Sequence, residues 1–330
     1  MSATPTVADP ARAPGRPLTP RADRALRRRR ISDRITIVAF LLPALVLFAL
    51  LVIVPILVAG YTSFFRWNGF GGVPTDFIGL DNFVRLLADP VFLGDLRRGA
   101  LLLVLSVTVQ LPLALGLALL LNQKLRGRAV YRTLFFAPYV LSEVITAVLF
   151  TMVFSPNRGL ANHLLGLVGL EALSSTWLSD PSTVLYSVFL VMTWKYFGFH
   201  MILLLAGRQN IPAELHEAAA TDGAGGWQTF RHITLPLLAP TIRISLFLAV
   251  IGTIQLFDLV WVLTGGGPLN ASETMAVTMF QYGFRRFEVG YASAISIAMF
   301  LISLLFAVLY QRFVLRRDLE GAITTMRGRR

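Results

Sequence analysis

Three ionisable residues fall inside long apolar runs of this chain: Glu143, Lys195 and Asp258. Such a group costs about 2.5–3.5 kcal/mol in a membrane-length run and usually faces a bundle interior, so each marks a candidate pathway or a pairing partner. Lys195 belongs to a stripe, Met192, Lys195, Tyr196 and Phe199, whose i, i+3, i+4, i+7 spacing places all four on one helical face. On the next run, Ala249, Gly252, Thr253 and Leu256 make a mostly small face. The expected chemistry is ligand contact or ion pairing, with Lys195 tied to Asp258 or Glu143. Catalysis is not expected. The histidines, His163, His200, His216 and His232, are scattered, with no zinc-binding pair and no Ser-His-Asp set. There is no cysteine, hence no thiolate metal site. A phosphate-binding loop needs G-x-x-x-x-G-K-[ST], and neither Lys124 nor Lys195 follows such glycines. The chain is expected to hold no metal or cofactor of its own and to hydrolyse no ATP.

The elements that would carry these residues are membrane helices. The chain has 330 residues, 55% hydrophobic and only 15% charged, against about 25% charged in soluble domains. Apolar runs of spanning length cover roughly 35–61, 99–121, 130–154, 183–206, 241–264 and 290–314. Barrel strands would be short and alternating, so the expected fold class is all-α, a six-helix membrane bundle. Pro43, Pro55, Pro112 and Pro138 lie within the runs, where neighbours can satisfy the freed carbonyls.

A net charge of +12 would suit nucleic acid in a soluble protein. Here it follows topology. With the N-terminus inside, 22 Lys and Arg fall on the inner side and 7 on the outer. Short basic loops stay cytoplasmic, so both termini and the loop between the fourth and fifth runs are expected inside. Residues 1–34, with nine arginines, read as a disordered basic tail, and 315–330 as a second basic tail.

The loop 209–240 is more ordered than a connector requires. Asn210 can cap a helix, Pro212 fits a first turn, and Glu214 and Glu217 favour the positive helix end. Ala218, Ala219 and Ala220 are strong helix formers with minimal side chains, and Gly223 is a natural left-handed stop. Trp227–Ile233 is a second amphipathic piece, and Pro236 and Pro240 are expected to start the next span.

The pattern Glu217-Ala218-Ala219-x-x-Asp222-Gly223-Ala224 followed by Leu235-Pro236, between spans four and five, resembles the signature loop of permease subunits of bacterial ABC importers. The likeness covers most of the chain after residue 35. Gly79-Leu80-Asp81-Asn82-Phe83, Tyr131-Arg132-Thr133-Leu134, Pro138-Tyr139, Phe257-Asp258 and Leu263-Thr264-Gly265-Gly266-Gly267-Pro268 resemble the carbohydrate-uptake branch, of maltose or glycerol-phosphate type. That resemblance implies a type I permease fold in the cell membrane. It implies a second permease, two ATP-binding subunits that hold ATP-Mg, and an extracytoplasmic solute-binding protein. The loop becomes a coupling helix docked on the ATPase, and spans four and five line a sugar path through Met192, Lys195, Tyr196, Phe199, Gly252, Thr253 and Asp258. Arg208 and His216 depart from the pattern, standing where leucine and tyrosine are expected, and bear on the choice of ATPase. A permease for a non-sugar solute such as glycerol phosphate remains the alternative. An ion-coupled secondary transporter should show inverted repeats and broken helices, neither of which the sequence suggests.

Overall fold

The computed structural model describes residues 37–123 and 125–315. Lys124 and the expected basic tails, apart from Leu315, lie outside the described residues. The chain forms two units, Met1–Val58 and Ala59–Arg330. The described part of the first is helical and almost wholly exposed. It belongs to α1 (Ile37–Thr62), whose mean hydropathy of 3.2 leaves no polar face for water.

In the second unit, β1 (Phe65–Arg66) pairs antiparallel with β2 (Asp76–Phe77), Phe65 opposite Phe77. The helices follow: α2 (Asp81–Ala88), α3 (Pro90–Leu121), α4 (Arg128–Val140), α5 (Glu143–Val153), α6 (Leu160–Leu167) and α7 (Val184–Gln209). After them come α8 (Ala213–Thr221), α9 (Gly226–Ile254), α10 (Asp258–Leu263), α11 (Met275–Phe280) and α12 (Val289–Leu315). By length and composition α1, α3, α7, α9 and α12 can each cross a membrane, and α4 with α5 makes a sixth crossing when the bent pair is counted as one span.

The six runs are therefore present, but three are built differently from expectation. The third is not one helix: α4 and α5 meet at a 98° bend. Leu141 is extended there, and the Ser142 hydroxyl accepts from the Ile145 amide at 3.2 Å, capping a new helix where the old one would have continued. So a helix broken within an apolar run does exist. The second run starts at Pro90 instead of 99, because the Asp89 carboxylate caps α3 by accepting from the Val91 amide at 2.9 Å. The fifth starts at Gly226 and stops at Ile254. Its continuation α10 is a separate helix, and the Leu256 carbonyl in the gap takes a 2.8 Å bond from the Thr274 hydroxyl. Pro236 and Pro240 lie inside α9 and do not start it; a π-helical turn over Phe230–Thr234 leads into the Leu235-Pro236 step.

The central helix is α7, half of whose apolar window is buried. Its N-terminal half packs Val188, Val191 and Met192 with Ala147 and Phe150 of α5 and Leu259 and Val260 of α10. Its other half packs Met201, Leu204 and Leu205 with Ala114 and Ala118 of α3 and Leu238 of α9. Lipid gives apolar helices little reason to associate, so close contact at small residues must hold them. Gly198 is where α4 crosses α7: a Cβ there would lie 1.9 Å from the Phe135 carbonyl oxygen. The small-residue start of α12 is packed inside, with Gly290, Ala292, Ser293 and Ala294 buried and the Ser293 hydroxyl accepting from Thr62 at 2.8 Å.

Two polar clusters tie α3 to α11 and α12. Asp95 is fully buried, taking bonds from Arg98 and, at 2.6 Å, from the Thr278 hydroxyl. Arg98 also donates to the Glu273 carbonyl at 2.8 Å. Asp95 lies just before the apolar run 99–121 that hydropathy marks, so the sequence did not single it out. At the start of α3, burial opposes the charge on Asp89, but bonds from the Tyr291 hydroxyl, the Val91 amide and the Tyr282 hydroxyl outweigh it and hold the carboxyl below its ordinary value of 3.8. A carboxyl with a lowered folded pKa stabilises above its unfolded value and loses that contribution as pH falls through the folded one. The Asp89 contribution is thus expected intact above about pH 4 and lost below it. Thermal unfolding across that range, compared with Asp89→Asn, checks this: the variant should lose that part of the acid dependence.

Candidate functional site

A cavity of about 330 Å³ opens among α3, α4, α5, α7 and α9. Met192, Tyr196 and Phe199 line it from α7, and Ala249, Gly252, Thr253 and Leu256 from α9 and the residues after it. Both expected faces therefore meet across one space. The 98° bend brings Tyr139 and Glu143 into the same wall. The Tyr139 ring stacks on Phe199 with centroids 4.8 Å apart, and the Tyr196 hydroxyl donates to the Glu143 carboxylate.

The sequence reading missed further wall residues. His200 is the next member of the α7 stripe, four residues past Tyr196, and its Nδ1 lies 2.7 Å from the Ser245 hydroxyl. Ser106 and Gln110 enter from α3 through a π-helical turn, Ser106–Gln110, a feature frequent at functional sites. Their signal was polarity within an apolar run. The Ser106 hydroxyl oxygen is buried with no partner among the described residues.

Two of the expected residues, Lys195 and Asp258, do not line this cavity. Lys195 is 3% exposed and absent from the cavity wall. It forms no ion pair with Glu143 or Asp258 among the described residues. Its ammonium donates instead to the Leu141 carbonyl at the bend, a group that the broken helix no longer satisfies. Asp258 is exposed in the first turn of α10, where it favours the positive helix end. Lys195→Met should lower the stability of the assembled protein by about 1–3 kcal/mol, the cost of an unmade buried bond. Solute affinity per assembled complex should stay unchanged. Uptake normalised to assembly, beside thermal unfolding, reads both; a changed affinity would return Lys195 to the path.

The loop folds as a separate helix, α8, and places most of its signature outward. Glu217, Ala218 and Asp222 are exposed, as are Glu214 and Leu215, whereas Ala219 is 7% exposed against its own chain. Gly223 adopts φ +77°, and the Ala224 amide bonds back to the Ala219 carbonyl at 2.9 Å, ending the helix as a left-handed glycine does. Asn210 does not cap α8. It ends α7, its amide reaching the Ala206 and Gly207 carbonyls, because buried Ile211 separates the two helices. Leu235 is half-buried and Pro236 exposed. The two departures meet: Arg208 lies 2.9 Å from the His216 Nε2, which lies 3.2 Å from the Thr234 hydroxyl.

Comparisons agree with this architecture. Residues 110–318 match the family described as binding-protein-dependent transport system inner membrane component. The sulfoquinovosyl glycerol transport system permease protein SmoG of Agrobacterium fabrum is 33% identical, over 87% of this chain and 93% of its own. The trehalose/maltose transport system permease protein MalF of Thermococcus litoralis is 34% identical, over 82% and 90%. A solved bacterial ABC transporter that imports the acidic polysaccharide alginate has a chain superposing with a TM-score of 0.74 at 25% identity, covering 87% of this chain and 98% of that one. The matched family, the multi-pass helical fold and relatives aligned over nearly their whole length lead to one conclusion: the chain belongs to the family of binding-protein-dependent transport system inner membrane components and is a permease subunit of an ABC transporter.

Proposed function

We propose that the chain moves a sugar or sugar-like solute across the cytoplasmic membrane, as half of a pathway completed by a second permease. The observation that carries this is the cavity, where aromatic rings from α4 and α7 face hydroxyl and amide groups from α3, α7 and α9. Rings offer apolar faces to a pyranose, and the polar groups match its hydroxyls. The relatives' names, which include trehalose/maltose and lactose systems, support this reading. An extracytoplasmic binding protein delivers the solute, in keeping with a related transporter solved with its ligand-loaded periplasmic protein.

Energy enters through α8. Glu217, Ala218 and Asp222 form the exposed face that docks on a separate ATPase, one of two that bind ATP-Mg. Gly223 and Ala224 end the helix, and Leu235-Pro236 lies within α9 just after its π-helical turn. Both termini and α8 face the cytoplasm, and 35–314 forms the permease domain between basic tails. The test is sugar uptake into proteoliposomes holding the complete complex, with ATP inside and the binding protein outside. ATP-dependent accumulation of a sugar, lost when this chain is omitted, is expected; accumulation driven by an ion gradient without ATP would reject the reading.

A further inference from the structure

The cavity's charge narrows the solute class, given the reading of the cavity as the solute path. Glu143 is its one carboxylate, and among the described residues no Lys or Arg lines it. The nearby cation, Lys195, is buried behind the wall, where its ammonium donates to the Leu141 carbonyl and lies within electrostatic reach of Glu143 without pairing with it. The carboxylate's polar partner in the wall, the Tyr196 hydroxyl, is neutral. The other polar groups, Ser106, Gln110, Thr253 and Gln255, donate or accept without charge. An anion entering here would leave water to face a like charge with no cation in the wall to pair with, Lys195 lying behind it, and charge interactions strengthen as water is excluded. A neutral polyol faces no such penalty. Its hydroxyls can bond the Glu143 carboxylate and the unpartnered Ser106 oxygen.

We propose that this cavity accepts solutes without negative charge and rejects those bearing a carboxylate, phosphate or sulfonate, with Glu143 as the discriminating residue. The complete complex of both permeases and both ATPases, in nanodiscs and without the binding protein, isolates the cavity from the delivery step. Binding is measured for two pairs of probes that differ in charge: glucose against glucuronate, and trehalose against trehalose 6-phosphate. The measurement is made at pH 7.5, about one unit above the ordinary imidazole value, so that His200 is not a variable. Each anion is expected to bind at least about tenfold more weakly than its neutral partner. Glu143→Gln should narrow that ratio by at least about threefold. Anions that bind as well as their neutral partners, or a ratio that Glu143→Gln leaves unchanged, would overturn the proposal while leaving the sugar path standing. Failure of every probe to bind an assembled complex that still hydrolyses ATP would reject the sugar path itself, and this proposal with it. The wild-type ratio stands as a test even if the variant fails to assemble.

Discussion

A complex carrying Ala218→Asp is expected to assemble normally and to lose at least about 99% of its solute-stimulated ATP hydrolysis and uptake. Ala218 lies on the exposed face of α8, so a carboxylate there costs the free subunit little. On docking, the same carboxylate is dehydrated against the ATPase with no partner provided. An uncompensated buried charge costs about 3–5 kcal/mol, two decades or more in docking affinity. The neighbouring position would mislead. Ala219 is buried against its own chain, so Ala219→Asp damages the fold before any partner arrives. Full solute-stimulated ATPase activity in an Ala218→Asp complex would sink the docking assignment.

Gly198→Ala is expected to cost the membrane domain more than the usual 1–3 kcal/mol of overpacking, roughly, and to reduce sharply the yield of assembled complex. The added methyl would stand 1.9 Å from the Phe135 oxygen and 2.8 Å from its carbonyl carbon. Both are backbone atoms, which cannot rotate away. α4 would have to shift, and with it the bend that sets Tyr139 and Glu143 in the cavity wall. Gly252→Ala is the control: nothing lies within 4 Å of its added carbon, yet Gly252 lines the cavity. It should assemble normally and change solute affinity alone. Monodisperse yield and thermal unfolding check the pair; an unaltered Gly198→Ala protein would mean that the α4–α7 crossing is wrong.

The stripes on the fourth and fifth runs were legible because a helix repeats every 3.6 residues whatever it packs against. Met192, Tyr196 and Phe199 had to share a face, as did Gly252 and Thr253, and both faces reached the cavity. Lys195 shares the first stripe yet turns away, because its long side chain finds the Leu141 carbonyl. That carbonyl is free only because the third run breaks, and hydropathy averaged over a run does not register one extended residue. The helix-capping role expected of Asn210 failed for a similar reason: capping chemistry at 210 and 212 is compatible with ending α7 or starting α8, and burial of Ile211 decides between them.

What the sequence determined by itself was whatever depends on local repetition and composition: six apolar runs, the basic bias of one side, and an outward-facing helix of small residues stopped by Gly223. Only the tertiary structure decided which ionisable residue lines the cavity. Glu143 does and Lys195 and Asp258 do not, although all three are equally costly in apolar runs. The physical reason is that a buried charge goes where the fold leaves an unmet polar group. Unmet groups arise from bends and crossings between residues far apart in the chain, such as Leu141 and Lys195.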